Sequence, residues 1–242
     1  MQLPSLSDIQ SAHEKIKPFI HHTPVLTSTQ LNKIFDCRLF FKCENFQRVG
    51  AFKFRGATNA VLSFNDEEKA RGVITHSSGN HAAALALAAG MNGVKASIVM
   101  PETAPLVKIK AVEGYGAEIT FCKPTLKARE ETTLKIIEKT GATLVHPYDN
   151  FNVICGQGTA ALELLEEYGE LDMIIAPIGG GGLMSGTSTC AKSINGRIMV
   201  IGAEPLNAND AWQSFTSGNL TPSVNPQTVA DGLLTSLSEL TF

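Results

Sequence analysis

The sequence predicts an α/β protein of two lobes, with parallel sheets flanked by helices. Three observations carry that prediction. From Val73 onward, short β-rich runs alternate with segments of helical period. Their connections are short and bear Gly or Pro, as in strand–helix–strand units covered on both faces. The 242 residues, 43% apolar and 18% charged, exclude a disordered or fibrous chain and suffice for a core without disulfides or a structural metal.

Each element follows from local pattern. Ser7–Phe19 opens on Ser-Asp and has apolar residues at helical spacing, predicting a helix capped by Ser7 or Asp8. Arg38–Cys43 is a short β-rich run, and Phe52–Phe64 a helix leaving the loop at Val49–Ala51. Then come strand Val73–His76, helix His81–Gly90, strand Ala96–Met100 stopped by Pro101, and helix Pro105–Gly114. Strand Glu118–Cys122, helix Lys127–Thr140 and strand Leu144–His146 follow. The rhythm closes with helix Gly158–Tyr168, strand Met173–Ile178, helix Leu183–Ser193 and strand Met199–Ala203. Beyond Pro205 the periodicity fades, and Asn207–Asp210, Ser217–Asn219 and Pro222–Pro226 read as loop.

Polar residues, Gly and Pro gather at Asn65–Gly72 and Thr143–Asn150. They predict a small lobe of residues 69–146 set between two parts of a larger one, 1–68 and 147–242. A formal net charge of −3 gives no electrostatic reason to expect nucleic acid or an acidic membrane. The most apolar stretches, Ala82–Gly90 and Met173–Met184, are too short to cross a bilayer. Five scattered cysteines without a C-x-x-C, and no secretory signal at the N-terminus, predict reduced thiols in a cytoplasmic protein. His21, His22 and His146 lack metal spacing and read as structural.

Three constellations carry chemistry. Ile178-Gly179-Gly180-Gly181-Gly182-Leu183 joins a strand to a helix, where backbone N–H groups unhindered by side chains can converge on an anion. It is neither a Walker A loop nor G-x-G-x-x-G, and it suits a compact phosphate monoester; the alternative is a flexible tight turn. In Ala51-Phe52-Lys53-Phe54-Arg55-Gly56-Ala57, a helix start, a nearby Arg and two apolar walls would disfavour a charged Lys53 and make it a nucleophile. The alternative, which spacing alone favours, is a surface lysine beside two core phenylalanines. Thr75-His76-Ser77-Ser78-Gly79-Asn80-His81 runs from a strand into a helix and offers hydroxyls, an amide and N–H groups for a carboxylate and a ring oxygen. The alternative is a capping segment with Ser78 or Asn80 as N-cap.

Together these motifs resemble the fold-type II pyridoxal phosphate (PLP) enzymes, whose fold is that of the tryptophan synthase β chain. Within them the sequence is similar to the serine racemase and serine/threonine dehydratase branch. The resemblance also rests on His22–Leu26, Phe41–Glu44, Tyr115–Ala117, Gly156–Thr159 and Ala203–Pro205, and covers nearly the whole chain. It implies that Lys53 holds PLP and acts as base at the substrate Cα. Phe52 would pack beside the cofactor, and Asn80 would bond its ring hydroxyl. Gly179, Gly180, Gly181, Gly182 and the Leu183 amide would hold the phosphate. Ser77, Ser78, Asn80, His81 and Arg129 would hold the carboxylate of a small amino acid. Ser78 stands where many threonine dehydratases have Ala. Its hydroxyl can return a proton to the face opposite Lys53, so it favours racemisation without excluding elimination.

Glu204, the Ala208 carbonyl and Asp210 follow the last predicted strand, and two carboxylates with a carbonyl can complete a hard-cation site with waters. In the family the matching stretch resembles a Mg²⁺, Ca²⁺ or Mn²⁺ site; the alternative is a solvated acidic loop. The resemblance further implies a homodimer. Two departures stand out. His81 is followed by Ala82-Ala83, where relatives often have Gly or Gln. Family members also continue past the position of Phe242, with a Ser-Gly-Gly-Asn-like turn that meets the pyridine nitrogen, so the large lobe is expected to lack its C-terminal part. The expected activity is interconversion of L- and D-serine with elimination to pyruvate and ammonia. The alternatives are a threonine or 3-hydroxyaspartate dehydratase, and a weakly active PLP-binding chain that partners a full-length subunit.

Overall fold

The computed structural model describes residues 3–77 and 79–242. In chain order its elements are α1 (Leu6–Ile16), β1 (Val25–Thr27), α2 (Thr29–Phe35), β2 (Phe40–Lys42), α3 (Lys53–Leu62), α4 (Asp66–Arg71), β3 (Val73–His76), α5 (Asn80–Met91), β4 (Ala96–Pro101), α6 (Leu106–Gly114), β5 (Glu118–Cys122), α7 (Leu126–Thr140), β6 (Thr143–Leu144), α8 (Phe151–Glu167), β7 (Met173–Pro177), α9 (Gly182–Ile194), β8 (Met199–Ala203) and α10 (Asp210–Ser217). Short 3₁₀ turns lie between some of them.

The main sheet is parallel and four-stranded, in the order β5-β4-β3-β6. Its central strands are buried on both faces, which is why Val73, Ile74, Ile98, Val99 and Met100 run on without polar alternation. One face carries Ile98 and Met100 against Phe54, Val61 and Leu85 of α3 and α5. The other packs Ile74, Val99 and Cys122 on Ile136 and Ile137 of α7. A second parallel sheet, β7-β8, sets Ile174 against α1, α8 and α9. Its opposite face leaves Met173, Ile175 and Met199 41%, 61% and 53% exposed.

Helix α8 is the axis of the molecule. Against α3, a Cβ placed on Gly156 would lie 2.6 Å from the Cα of Gly56; against α9, one on Gly186 would lie 2.6 Å from the backbone N of Gly158. The glycines of Gly156-Gln-Gly-Thr therefore set how closely three helices approach.

Several expectations are corrected. β1 and β2 form an antiparallel pair outside the parallel sheets. The cap of α1 is Ser5, not Ser7 or Asp8; Asp8 instead closes the capping box from the third helical position. Helix α8 starts at Phe151 on an Asn150 cap, seven residues before the expected start at Gly158. The short helices α2 and α4 stand where no element was expected, each on its own side-chain cap, Ser28 and Asn65. Most of the segment after Pro205 is irregular, but α10 forms within it.

Candidate active site

Three helices open onto one region, and none begins on a side-chain cap among the described residues. Helix α3 starts after Phe52, α5 after Gly79 and α9 after Gly181. Their first N–H groups are the unsatisfied donors of any helix start, with the positive end of the dipole behind them.

The Gly179–Gly182 turn connects β7 to α9. Gly181 has φ +88°, a left-handed conformation that glycine adopts without strain. A Cβ on Gly180 would fall 2.2 Å from the Tyr148 ring, and one on Gly181 would fall 2.5 Å from Thr241. Side chains are therefore excluded, and the turn offers backbone only. Thr241 also donates from Oγ1 to the Gly180 carbonyl at 2.9 Å, and Thr235 lies beside Gly179. Leu183, the second residue of α9, is half-buried.

Lys53 is the first residue of α3. Its Nζ donates to the Pro147 carbonyl at 2.8 Å and stands 5.3 Å from the centroid of the Phe52 ring. Desolvation pushes the ammonium down to about 8, so roughly a tenth is the neutral amine at pH 7, far more than for an ordinary lysine. Neither Arg55 nor a second aromatic wall, both expected to disfavour the charge, lowers its proton affinity. Phe54 is fully buried in the core on another side of the helix. Arg55 turns away from Lys53, and its charge is matched by Glu44 and Glu163.

At the end of β3, Ser77 Oγ accepts from the Gly79 N–H at 3.3 Å, and Asn80 opens α5 exposed. Ser78, predicted to be catalytic, lies outside the described residues. The His81 ring is fully enclosed and bonds through Nε2 to the Val145 carbonyl at 3.0 Å. Its side chain is thus spent on the scaffold, which leaves its backbone N–H as the group available for a carboxylate. Desolvation, with the charge of Lys53 behind it, pushes His81 down to about 3. Desolvation likewise pushes His146 down to about 4, and its Nδ1 accepts from the Asp149 N–H. Arg129, on α7, reaches this corner: its charge lowers the proton affinity of both His76 and Cys122. Its Nε is buried without a hydrogen-bond partner among the described residues, as befits a cation awaiting an anion.

Glu204 follows β8, and its carboxylate accepts from the N–H groups of Trp212 at 2.7 Å and Ala211 at 3.3 Å, capping α10 from outside. Asp210 accepts from the Leu237 N–H at 3.0 Å, and Ala208 is buried between them in sequence. Burial raises both carboxyl groups, and the charge of Asp210 raises Glu204 further. Both carboxylates thus accept backbone N–H groups, and no group of three or more His, Cys, Asp or Glu that could hold a metal occurs among the described residues.

Sequence reasoning missed Pro147, Tyr148, Thr235 and Thr241. Pro147 acts through its carbonyl, which leaves no sequence signal. Tyr148 was visible only as a neighbour of His146. The two threonines come from beyond Pro205, where the periodicity fades and no site residue past Asp210 was expected.

The site's parts fit PLP: a buried lysine of lowered proton affinity beside an aromatic ring, a turn that only backbone can line, and a second uncapped helix start near an arginine whose Nε has no partner among the described residues. Comparison with known proteins agrees. The family model for pyridoxal-phosphate dependent enzymes matches residues 16–242. The chain is 52% identical to a serine racemase of Dictyostelium discoideum, over 98% of this chain and 74% of that protein. It is 50% identical to a beta-hydroxyaspartate dehydratase of Paracoccus denitrificans, over 100% of this chain and 77% of that one. Its fold superposes on the structure of maize serine racemase with a TM-score of 0.97 at 45% identity, covering 99% of this chain and 73% of the other.

Proposed function

The chain belongs to the pyridoxal-phosphate dependent enzymes, and from that premise we propose that it interconverts L- and D-serine, with elimination of serine to pyruvate and ammonia as a second outcome at the same site. The observation that carries the reading is Lys53, a buried lysine of lowered proton affinity at the start of α3, bonded to the Pro147 carbonyl beside Tyr148, whose ring packs on the Gly180 turn. PLP, when bound, supplies the electron sink that acidifies the substrate Cα–H.

The residues of the chain then have distinct tasks. Lys53 attaches the cofactor and takes the Cα proton from one face. Ser78 returns a proton from the other face. The N–H groups of Gly180, Gly181, Gly182 and Leu183 bind the phosphate, with Gly179 giving the turn its approach. Phe52 packs beside the ring, and Asn80 bonds its hydroxyl. The start of α5, with Ser77, the His81 N–H and Arg129, orients the substrate carboxylate. Glu204, Asp210 and the Ala208 carbonyl bind Mg²⁺ or a similar cation, which neutralises the two raised carboxylates. The reading includes a small lobe of residues 69–146 between the halves 1–68 and 147–242, and a cytoplasmic homodimer. No helix among the described residues is long and apolar enough to cross a membrane.

A second reading, a dedicated hydroxyaspartate or threonine dehydratase, is favoured by the likeness to the Paracoccus enzyme. Incubation of the purified chain and PLP with L-serine, followed by chiral analysis and assay of pyruvate, separates the two. The proposal expects D-serine from the parent chain, and none from Ser78→Ala, which keeps part of its elimination. D-serine from Ser78→Ala would rule out the two-face assignment. Oxo acid without D-serine from the parent would select the dehydratase.

A further inference from the structure

The reaction assigned above makes no use of the most elaborate polar cluster in the protein. Arg55, two residues after Lys53, is completely buried. Its Nε donates to Glu44 Oε2 at 2.7 Å, and one terminal nitrogen to Glu44 Oε1 at 2.8 Å. The same nitrogen reaches Glu163 Oε2 at 2.8 Å, while the other donates to Glu163 Oε1 at 2.7 Å and Thr159 Oγ1 at 3.2 Å. The guanidinium is thus gripped bidentately on both edges. Lys42 adds a 2.6 Å ion pair to Glu163, so two cations meet two carboxylates. Burial opposes these charges, yet the mutual hydrogen bonds outweigh it, raising Arg55 and lowering Glu163.

The placement of this cluster has a mechanical meaning. Arg55 lies about 200° around α3 from Lys53, so one residue faces α8 while the other faces the site. Other ties between the helices include the Gly56–Gly156 contact, the 3.3 Å bond from the Gly56 N–H to Gln157, the 2.8 Å bond from Asn59 to the Asn152 carbonyl, and the packing of Val153 in one buried cluster with Phe54, Ala57, Ala60 and Val61. The glycine-to-glycine contact is smooth and sets separation, whereas the bidentate pair from Arg55 to Glu163 of α8 sets position along the axis, with Glu44, in the turn before α3, holding the other edge of the guanidinium. Helix α8 in turn packs closely on α9, whose first turn carries the Gly179–Gly182 loop.

We propose that Arg55 is a positioning residue for Lys53: held by Glu44 and Glu163, it fixes the axial register of α3 on α8, and so the distance between the lysine and the phosphate turn. The proposal rests on the assignment of Lys53 as the cofactor lysine. A shift of one residue along the helix moves Lys53 by about 1.5 Å, enough to misplace a reacting group severely.

The test replaces the cluster by apolar and neutral groups of similar size: Lys42→Met, Glu44→Gln, Arg55→Met and Glu163→Leu together. Such replacements tend to preserve or raise stability, because no charge is left buried alone. Two readings are taken on folded protein. One is the PLP dissociation constant by equilibrium dialysis. The other is the pH midpoint for reaction of Lys53 with an amine reagent in cofactor-free chain. The expected result is a melting temperature near the parent's, PLP affinity weakened about 10- to 100-fold, and a midpoint moved upward from near 8. A folded variant with parental affinity and midpoint overturns the proposal. Should that variant not fold, Arg55→Lys, which keeps the charge and loses the fork, is read the same way below its melting temperature and decides by the same criterion. Borohydride trapping of PLP on the parent chain, with peptide mapping, tests the premise separately: label on Lys53 upholds it, and label elsewhere overturns both.

Discussion

Most helices that build the scaffold begin on a side-chain cap, and the three that face the site do not. Among the described residues α1, α2, α4, α7 and α8 start on Ser5, Ser28, Asn65, Thr125 and Asn150, each side chain accepting a backbone N–H. Helices α3, α5 and α9 start on Phe52, Gly79 and Gly181 with no such bond; of the others, α6 starts after Pro105 without one and α10 is capped from outside by Glu204. A cap is worth about 1 kcal/mol, so leaving three helices uncapped costs stability where an anion can restore it. The contrast teaches that this site is made as much from withheld side chains as from those present.

The largest test of the contrast adds a side chain where none fits. Gly181→Ala brings a Cβ against Thr241 and Leu237 at positive φ. It should weaken PLP binding about 100-fold in dialysis and lower stability by about 1–2 kcal/mol in urea unfolding. The burial around the site also sets an acid limit. His81, pushed to about 3 by desolvation, stays neutral in the folded chain while the unfolded chain takes up its proton below pH 6.5. Stability therefore falls on acidification from about 6.5 towards 3, by on the order of 2–3 kcal/mol at pH 4.5. His81→Gln should flatten that loss in urea midpoints compared at pH 7 and 4.5.

The third test supplies the missing cap. Among the described residues a Cβ on Gly79 meets nothing within 4 Å, and the residue does not have positive φ. Gly79→Asp should stabilise the chain by about 0.5–1 kcal/mol and raise KM for serine about 10-fold, since the new carboxylate takes the substrate's place. The complementary change on the scaffold, Ser28→Ala, should cost about 1 kcal/mol in unfolding and leave KM unchanged. If the two variants behave alike, the distinction between the two sets of helices has no functional content.

What the sequence disclosed follows the same division. The tetraglycine turn and the helix after it were legible, because four adjacent glycines between a strand and a helix have few other uses. The parallel strands were legible from their unbroken apolar runs. Helix α10 was not, because its N-terminal donors are met by Glu204, seven and eight residues before them, rather than by a local cap. The Lys53 motif was legible in its residues but misjudged in its physics. Arg55 stands beside Lys53 in sequence, yet its decisive partner, Glu163, is 108 residues away, and the lysine is tuned by burial rather than by that arginine. Pro147 could not be anticipated, since any residue there would supply the same carbonyl.

The most direct measurement is the visible absorbance of the purified chain incubated with PLP and then desalted, beside Lys53→Ala handled identically and shown to be folded by circular dichroism. With Lys53 as the cofactor lysine, the parent chain retains the band and the variant shows none. A band of equal strength in Lys53→Ala would mean that the cofactor is held elsewhere, and would contradict the site described above.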